Sequence, residues 1–325
     1  MVWLYFMSLA SAGYGDPVQG LPAPSEREIH MWTNAVRLDP QAFDSEYRRG
    51  GCSFSQFESD EKSPLQPLLW NSELNEAARF HSEDMQDNDH FSHTSYDGTP
   101  FSERISRFYT EGYVGENIAW GYPDPFVAVM EGWMCSPGHR ANIMTAGYNE
   151  LGAGQDELYY TQNFGGRQGA SERAILMGIH LPANPSDTAT FVADFMDLDG
   201  ARPEQFDVVV NGEAYPMFLK WGASDMGVYT TDVALNSASC HAYFFRTLVN
   251  GEETRFPEDG MYGWGDCIYN DYEAQWFAQQ WFNESSEKNK KLQFGGCTST
   301  AGLISAPASL WTLTVFSLFF VRRRD

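Results

Sequence analysis

The hydrophobic period changes once along this 325-residue chain, and that change restricts the fold more than any other feature. In the first half apolar residues recur at helical spacing. Leu74, Ala77, Ala78, His81 and Met85 share one face after Asn71, and Phe126, Val129, Met130 and Trp133 share one after Asp124-Pro125. Beyond the run PANPSD (182–187) the period is two, with Phe191, Ala193 and Phe195 alternating with Val192, Asp194 and Met196. The two periods belong to helices and to half-buried strands, so the chain is α+β, helical units first and a β-sandwich after.

Helix starts are punctuated. Ser25 with Glu28 reads as a capping box before REIHMWTNAVRL, and Asn71 caps the next helix. Thr99-Pro100, Asp124-Pro125 and Ser136-Pro137 each put a cap side chain before a proline, which loses no hydrogen bond at the first helical position. Strand-like runs follow at LGAGQ (151–155), YYTQNFG (159–165) and ILMGIHL (175–181). In the second half Asn211-Gly212 and Asn250-Gly251 tolerate the positive φ angles of two-residue hairpins. PANPSD reads as a linker, giving units at 25–181 and 188–283 and a polar spacer with a sorting motif at 284–300.

The ends read as addresses. Residues 2–9 are apolar and Ala10-Ser11-Ala12 is a small-x-small cleavage pattern, so 1–12 is expected to be a signal peptide. The basic residue that usually precedes such a run is missing, and a buried N-terminal segment is the alternative. Residues 301–321 form an uncharged apolar segment of membrane-spanning length, with the basic tail 322–325 behind it. With Gly295-Gly296-Cys297 upstream, this end resembles the C-terminal sorting tails of some Gram-negative surface proteins. The resemblance implies processing near Cys297 and display at the cell surface; a permanent membrane anchor is the alternative. The net charge of −23 argues against nucleic acid as a partner and fits an exported surface. The domain split and export predict disulfides Cys52–Cys135 and Cys240–Cys267, with Cys297 spare.

Seven motifs occur in order between residues 26 and 164. Asn34 with Arg37 and FHSEDM come first, then DHFSHTSYDGTPFSERI, GENIAWGY, GWMCSPGHRANIM, LGAG and YTQNFG. This half resembles the CAP superfamily, or SCP/TAPS domain. The resemblance implies an α-β-α sandwich with an open cleft lined by two His and two Glu. By motif, His93, Glu116 and His139 are similar to three of the four. The second Glu is expected three positions after Trp133, where this chain has Ser136, as is common in the bacterial branch. The expected ligand-binding cleft is therefore His93, Glu116, His139 and Ser136, with Ser136 itself read as a helix cap.

Two imidazoles and a carboxylate can hold zinc or another divalent cation and leave a position open, or do acid–base work without metal. His93 and His139 are the expected metal ligands; bridging of loops is the structural alternative. Gly115-Glu116-Asn117 also reads as a fastened turn, Arg140 as a loop-fixing residue, Asn142 as structural and His81 as a packed core histidine; His90 adjoins the motif, with a place in the cleft as its lesser reading. DFMDLDG (194–200) lacks calcium-loop spacing and reads as a turn between strands. Trp221, Tyr229, Tyr243 and Trp264 read as sandwich core before a carbohydrate platform. The second half resembles the immunoglobulin-like or carbohydrate-module-like sandwiches appended to bacterial surface proteins, which implies an accessory or spacer role. The functional expectation is a surface-displayed protein that binds a lipid or sterol, a cell-envelope glycan or a partner protein. A zinc-dependent hydrolase of peptides or envelope polymers is the second reading, and a purely architectural role the third.

Overall fold

The computed structural model describes residues 13–17, 21–48, 50–110, 112–167, 174–182 and 187–267. The expected signal peptide 1–12, the spacer and sorting motif 284–300, Cys297, the hydrophobic segment 301–321 and the tail 322–325 lie outside the described residues. Among the described residues no helix is long and apolar enough to cross a membrane.

Helix α1 (Pro24–Leu38) starts earlier than Ser25 and Glu28 suggested, because Pro24 takes the first helical position and Glu26 serves the start. Glu26 Oε2 accepts from the Ala23 N–H at 2.8 Å. Helix α2 (Ser72–Asp87) begins as read, with Asn71 Oδ1 accepting from the Leu74 N–H at 2.9 Å. The short α3 (Phe101–Ser106) follows. The single turn α4 (Pro125–Val127) is capped by Asp124 and widens into a π-helix over Ala128–Trp133. Helix α5 (Pro137–Ile143) completes the set; Ser136 occupies its N-cap position, but its side chain makes no capping bond, so the expected cap is one of backbone position only.

The first sheet has the order β1-β3-β4-β2, from β1 (Leu69–Trp70), β2 (Val114–Trp120), β3 (Glu150–Asp156) and β4 (Tyr159–Gly165). Only β1 and β3 run parallel. The LGAG motif explains how a helix lies so close to this sheet. A Cβ at Gly152 would come within 2.0 Å of Asn75 N, and one at Gly154 within 2.3 Å of Arg79 N, so α2 rests on bare backbone. Leu151 and Ala153 point the other way, into the main core with Ile29 and Trp32 of α1 and Trp133 and Ile143 near the second helical layer. Leu74 and Ala77 of α2 cluster with Ile105 of α3 on the opposite face. The sheet is thus covered on both sides, the α-β-α sandwich that the motifs implied.

The second half folds as two antiparallel sheets. One has the order β5-β6-β10-β9, from β5 (Ile175–Leu181), β6 (Thr188–Met196), β9 (Phe218–Ala223) and β10 (Met226–Ala234). The other runs β12-β11-β7-β8, from β7 (Gln205–Val210), β8 (Glu213–Pro216), β11 (Cys240–Val249) and β12 (Glu252–Phe256), with β13 (Tyr262–Gly265) also on β11. The sheets face each other through rings, Phe191 on Tyr243 at 4.8 Å and Phe195 on Phe206 at 6.2 Å. Both Asn-Gly pairs make the expected hairpins, with φ of 51° and 84° at Asn211-Gly212 and 52° and 79° at Asn250-Gly251. Tyr229, Tyr243 and Trp264 are buried core. Asp194 is a buried strand residue, and Asp197 Oδ1 closes the turn after it by accepting from the Asp199 and Ala201 N–H groups.

Strand β5 pairs with β6, Leu181 opposite Thr190. PANPSD therefore lies between neighbouring strands of one sheet and does not separate two domains. One main core takes residues from both halves, because α1 is buried nearly all round. It packs on β3 on one side and on β5, β6, β9 and β10 on the other. A polar joint crosses this core: Asn34 Nδ2 donates to Asp194 Oδ2 at 2.6 Å and to Leu68 O at 3.0 Å. Both described disulfides are those expected, Cys52–Cys135 and Cys240–Cys267.

Candidate functional site

Glu116 and Asn117 lie on β2, an edge strand of the first sheet, and neighbouring residues of a strand face opposite sides. Glu116 points into the α2/α3 layer and Asn117 into the α5 layer. GEN is thus a strand, where a turn was expected. Its glycine admits a ring, since a Cβ at Gly115 would come within 2.3 Å of the Tyr148 hydroxyl oxygen.

On the first side, the buried Glu116 carboxylate is held by donors from three elements. His93 Nδ1 donates to Oε1 at 2.9 Å. The Arg104 guanidinium of α3 pairs with Oε2 and also donates to His93 O at 3.1 Å and Ser95 Oγ at 2.8 Å. The Asn163 amide, turned so that both its ends are satisfied, donates to Oε2 at 3.3 Å. His81 is buried behind this group, its Nε2 at 2.9 Å from Ser92 O, and burial lowers its pKa to about 4. On the other side Asn117 Nδ2 donates to His139 O at 3.1 Å. Asn142 Nδ2 donates to Glu116 O at 3.2 Å and to Asn117 Oδ1 at 2.9 Å. GEN and GHRAN are therefore stapled together, which places His139 near enough for His93 to act on its titration. Burial first, and the charge of His93 second, lower the His139 pKa.

The structure thus brings His93, Glu116 and His139 together. The His93 side chain is 48% exposed, so the group opens to solvent. Arg140 fixes the loops as expected, with Nε donating to Glu61 Oε2 at 2.6 Å and Nη1 to Met134 O at 3.0 Å. His90 is turned to Thr94 O at 3.0 Å. Sequence reasoning assigned no role to Arg104 or Asn163. Both stand inside quoted motifs, TPFSERI and YTQNFG, but a motif does not say which carboxylate its donors meet.

The expected metal ligation, by zinc or another divalent cation on His93 and His139 with Glu116 as third ligand, does not fit this geometry. Both Glu116 oxygens already accept hydrogen bonds, and His93 turns Nδ1 inward to one of them. Among the described residues no group of three His, Cys, Asp or Glu is placed to hold a metal ion. What the arrangement supplies is a fixed imidazole. A carboxylate can only accept, so His93 carries its proton on Nδ1 and presents Nε2 outward. Replacing His93 by Gln is expected to raise the His139 pKa toward 6.5 without fully restoring it, because burial remains; titration of the His139 ring protons by NMR checks this, and an unmoved value would show that the rings do not interact.

Residues 32–164 match the cysteine-rich secretory protein family, CAP. The uncharacterized membrane protein YlbC of Bacillus subtilis (strain 168) is 44% identical over 108 residues, 32% of this chain and 30% of that protein. The uncharacterized protein YkwD of the same organism is 37% identical over 110 residues, 33% of this chain and 42% of that protein. The match thus spans less than half the length of either relative. An extracellular protein containing a SCP domain from Bacillus anthracis str. Ames, solved by crystallography, is 38% identical and covers 32% of this chain and 35% of that chain, with a TM-score of 0.30. Residues 32–164, which carry His93, Glu116 and His139, thus form a domain that matches the cysteine-rich secretory protein (CAP) family.

Proposed function

We propose that this chain is an exported binding protein whose CAP domain captures a hydroxyl-bearing ligand at His93, Glu116 and His139. The ligand is a lipid such as a sterol, a cell-envelope glycan, or the surface of a partner protein. The observation that carries the reading is the solvent-facing His93 ring locked by a carboxylate that is itself fully engaged. With Nδ1–H given to Glu116, the second nitrogen of the His93 ring is left for a ligand, and burial, with the His93 charge second, lowers the pKa of the neighbouring His139. Imidazole nitrogens can donate to a ligand hydroxyl or accept from it. Metal-dependent hydrolysis of peptides or envelope polymers draws no support from a carboxylate whose two oxygens are already committed. The leader pattern at 1–12 and two disulfides support export. Residues 284–325 would hold the protein at the cell surface, whether processed near Cys297 or retained as an anchor.

Binding of sterol-containing vesicles, soluble envelope glycan and envelope protein fractions, measured on wild type and on His93→Ala plus His139→Ala, tests this. Wild type is expected to bind one class at micromolar levels and the double variant about tenfold more weakly, the loss of one or two hydrogen bonds. Equal binding by the double variant, or no binding to any class, would sink the proposal.

A further inference from the structure

A cavity of about 720 Å³ lies where α1 and α4 meet the β5-β6-β10-β9 sheet, away from the His93 site. Its walls are aromatic: Trp32, Tyr47, Phe126 and Trp221. Trp32 stands edge-on to Phe126 at 5.0 Å, and Trp221 lies 5.0 Å from Tyr47 and 6.1 Å from Trp32. The polar lining is acidic, and no lysine or arginine lines it. Glu46 is offset from outside by Lys220, 3.3 Å away. Glu28 and Asp124 remain and repel one another. Burial first, and the Asp124 charge second, push the Glu28 carboxyl up to about 7. Arg27 does not line the cavity; it acts on Glu28 through its charge, while donating to Pro22 O at 3.0 Å and lying 3.9 Å over the Tyr262 ring. An apolar cation satisfies all of this. It would bring a positive charge beside the Glu28 and Asp124 carboxyls, while its alkyl groups meet aromatic rings whose quadrupole attracts positive charge.

We infer that this junction cavity is a binding site for a small alkylated ammonium ion, of which choline is the simplest biological form. Tetramethylammonium and choline, free or as the headgroup of phosphatidylcholine, share this chemistry. The site is independent of His93 and does not rest on the function proposed above.

Titration of the whole protein with tetramethylammonium and with choline, followed by tryptophan fluorescence, tests it, with 3,3-dimethylbutanol as the uncharged carbon analogue of choline. Saturable binding is expected, about tenfold weaker for the neutral analogue and for Trp221→Leu, and unchanged in His93→Ala. Asp124→Asn, which keeps the helix cap, is expected to weaken the cation severalfold at unchanged melting temperature. Added phosphatidylcholine vesicles separate the sources: competition with choline assigns the lipid headgroup, and none assigns a soluble cation. Equal binding of the neutral analogue, indifference to Trp221→Leu and Asp124→Asn, or no saturable binding would overturn the inference.

Discussion

Replacing Arg104 by Ala is expected to lower stability by about 3–5 kcal/mol, the range for a buried ion pair broken on one side. Both partners are inside: the Arg104 side chain is 0% exposed and that of Glu116 1%. Truncation leaves a carboxylate with only His93 and Asn163 as donors, and it also frees the His93 carbonyl and Ser95 hydroxyl that Arg104 holds. The loss therefore reaches function, since the loop that carries His93 is then tied to β2 only by the His93–Glu116 bond. Urea unfolding gives the energy, and the His93 ring resonances report whether its orientation survives. A double replacement, Arg104→Met with Glu116→Leu, is expected to recover much of the stability, because it removes both charges together, but not the fixed imidazole. A loss below about 1 kcal/mol for Arg104→Ala would mean that water or other donors satisfy Glu116, and the locked-imidazole argument would go with it.

Asp194→Ala is the second large effect, and its size depends on pH. Asp194 is fully buried, its oxygens accepting from Asn34 Nδ2 and the Met177 N–H, each at 2.6 Å. Removing it orphans two buried donors, at a cost of about 3 kcal/mol. Burial raises the Asp194 pKa to about 7. A raised folded-state pKa means that the folded protein holds this proton while the unfolded chain, with a carboxyl near 3.9, has lost it. The contribution is complete below about pH 4 and is lost as pH rises toward 7, by at most about 1.4 kcal/mol per unit. The gap between wild type and Asp194→Ala should therefore be widest near pH 4–5 and narrowest at pH 8. Urea unfolding of both proteins across pH 5–8 measures it; a constant gap would show that Asp194 keeps one protonation state throughout.

Much of the fold could be read from residues in order because the interactions that decide it are short. Asn71 caps a helix three residues away, and Asn-Gly closes a hairpin within itself. The period of a segment sets which face is buried whatever buries it. The reading failed where two local signals competed. Ser25 with Glu28 and Pro24 with Glu26 both mark a helix start within a few residues, and the proline prevailed. PANPSD carries the composition of a linker, and also that of a connection between adjacent strands. Composition cannot tell these apart, since both are solvated backbone.

The sequence by itself determined the α+β class, the all-β character of the second half and both described disulfides, and it named the three candidate residues, because motif order and periodicity carry that information. Only the tertiary structure decided which atoms those residues meet. Glu116 is twelve residues from Arg104 and twenty-three from His93, and nothing along the chain reveals that both Glu116 oxygens are taken. Asn34 is 160 residues from Asp194, and the aromatic cavity is assembled from α1, α4 and β9. Such contacts depend on how layers stack, and stacking is decided by the whole core at once.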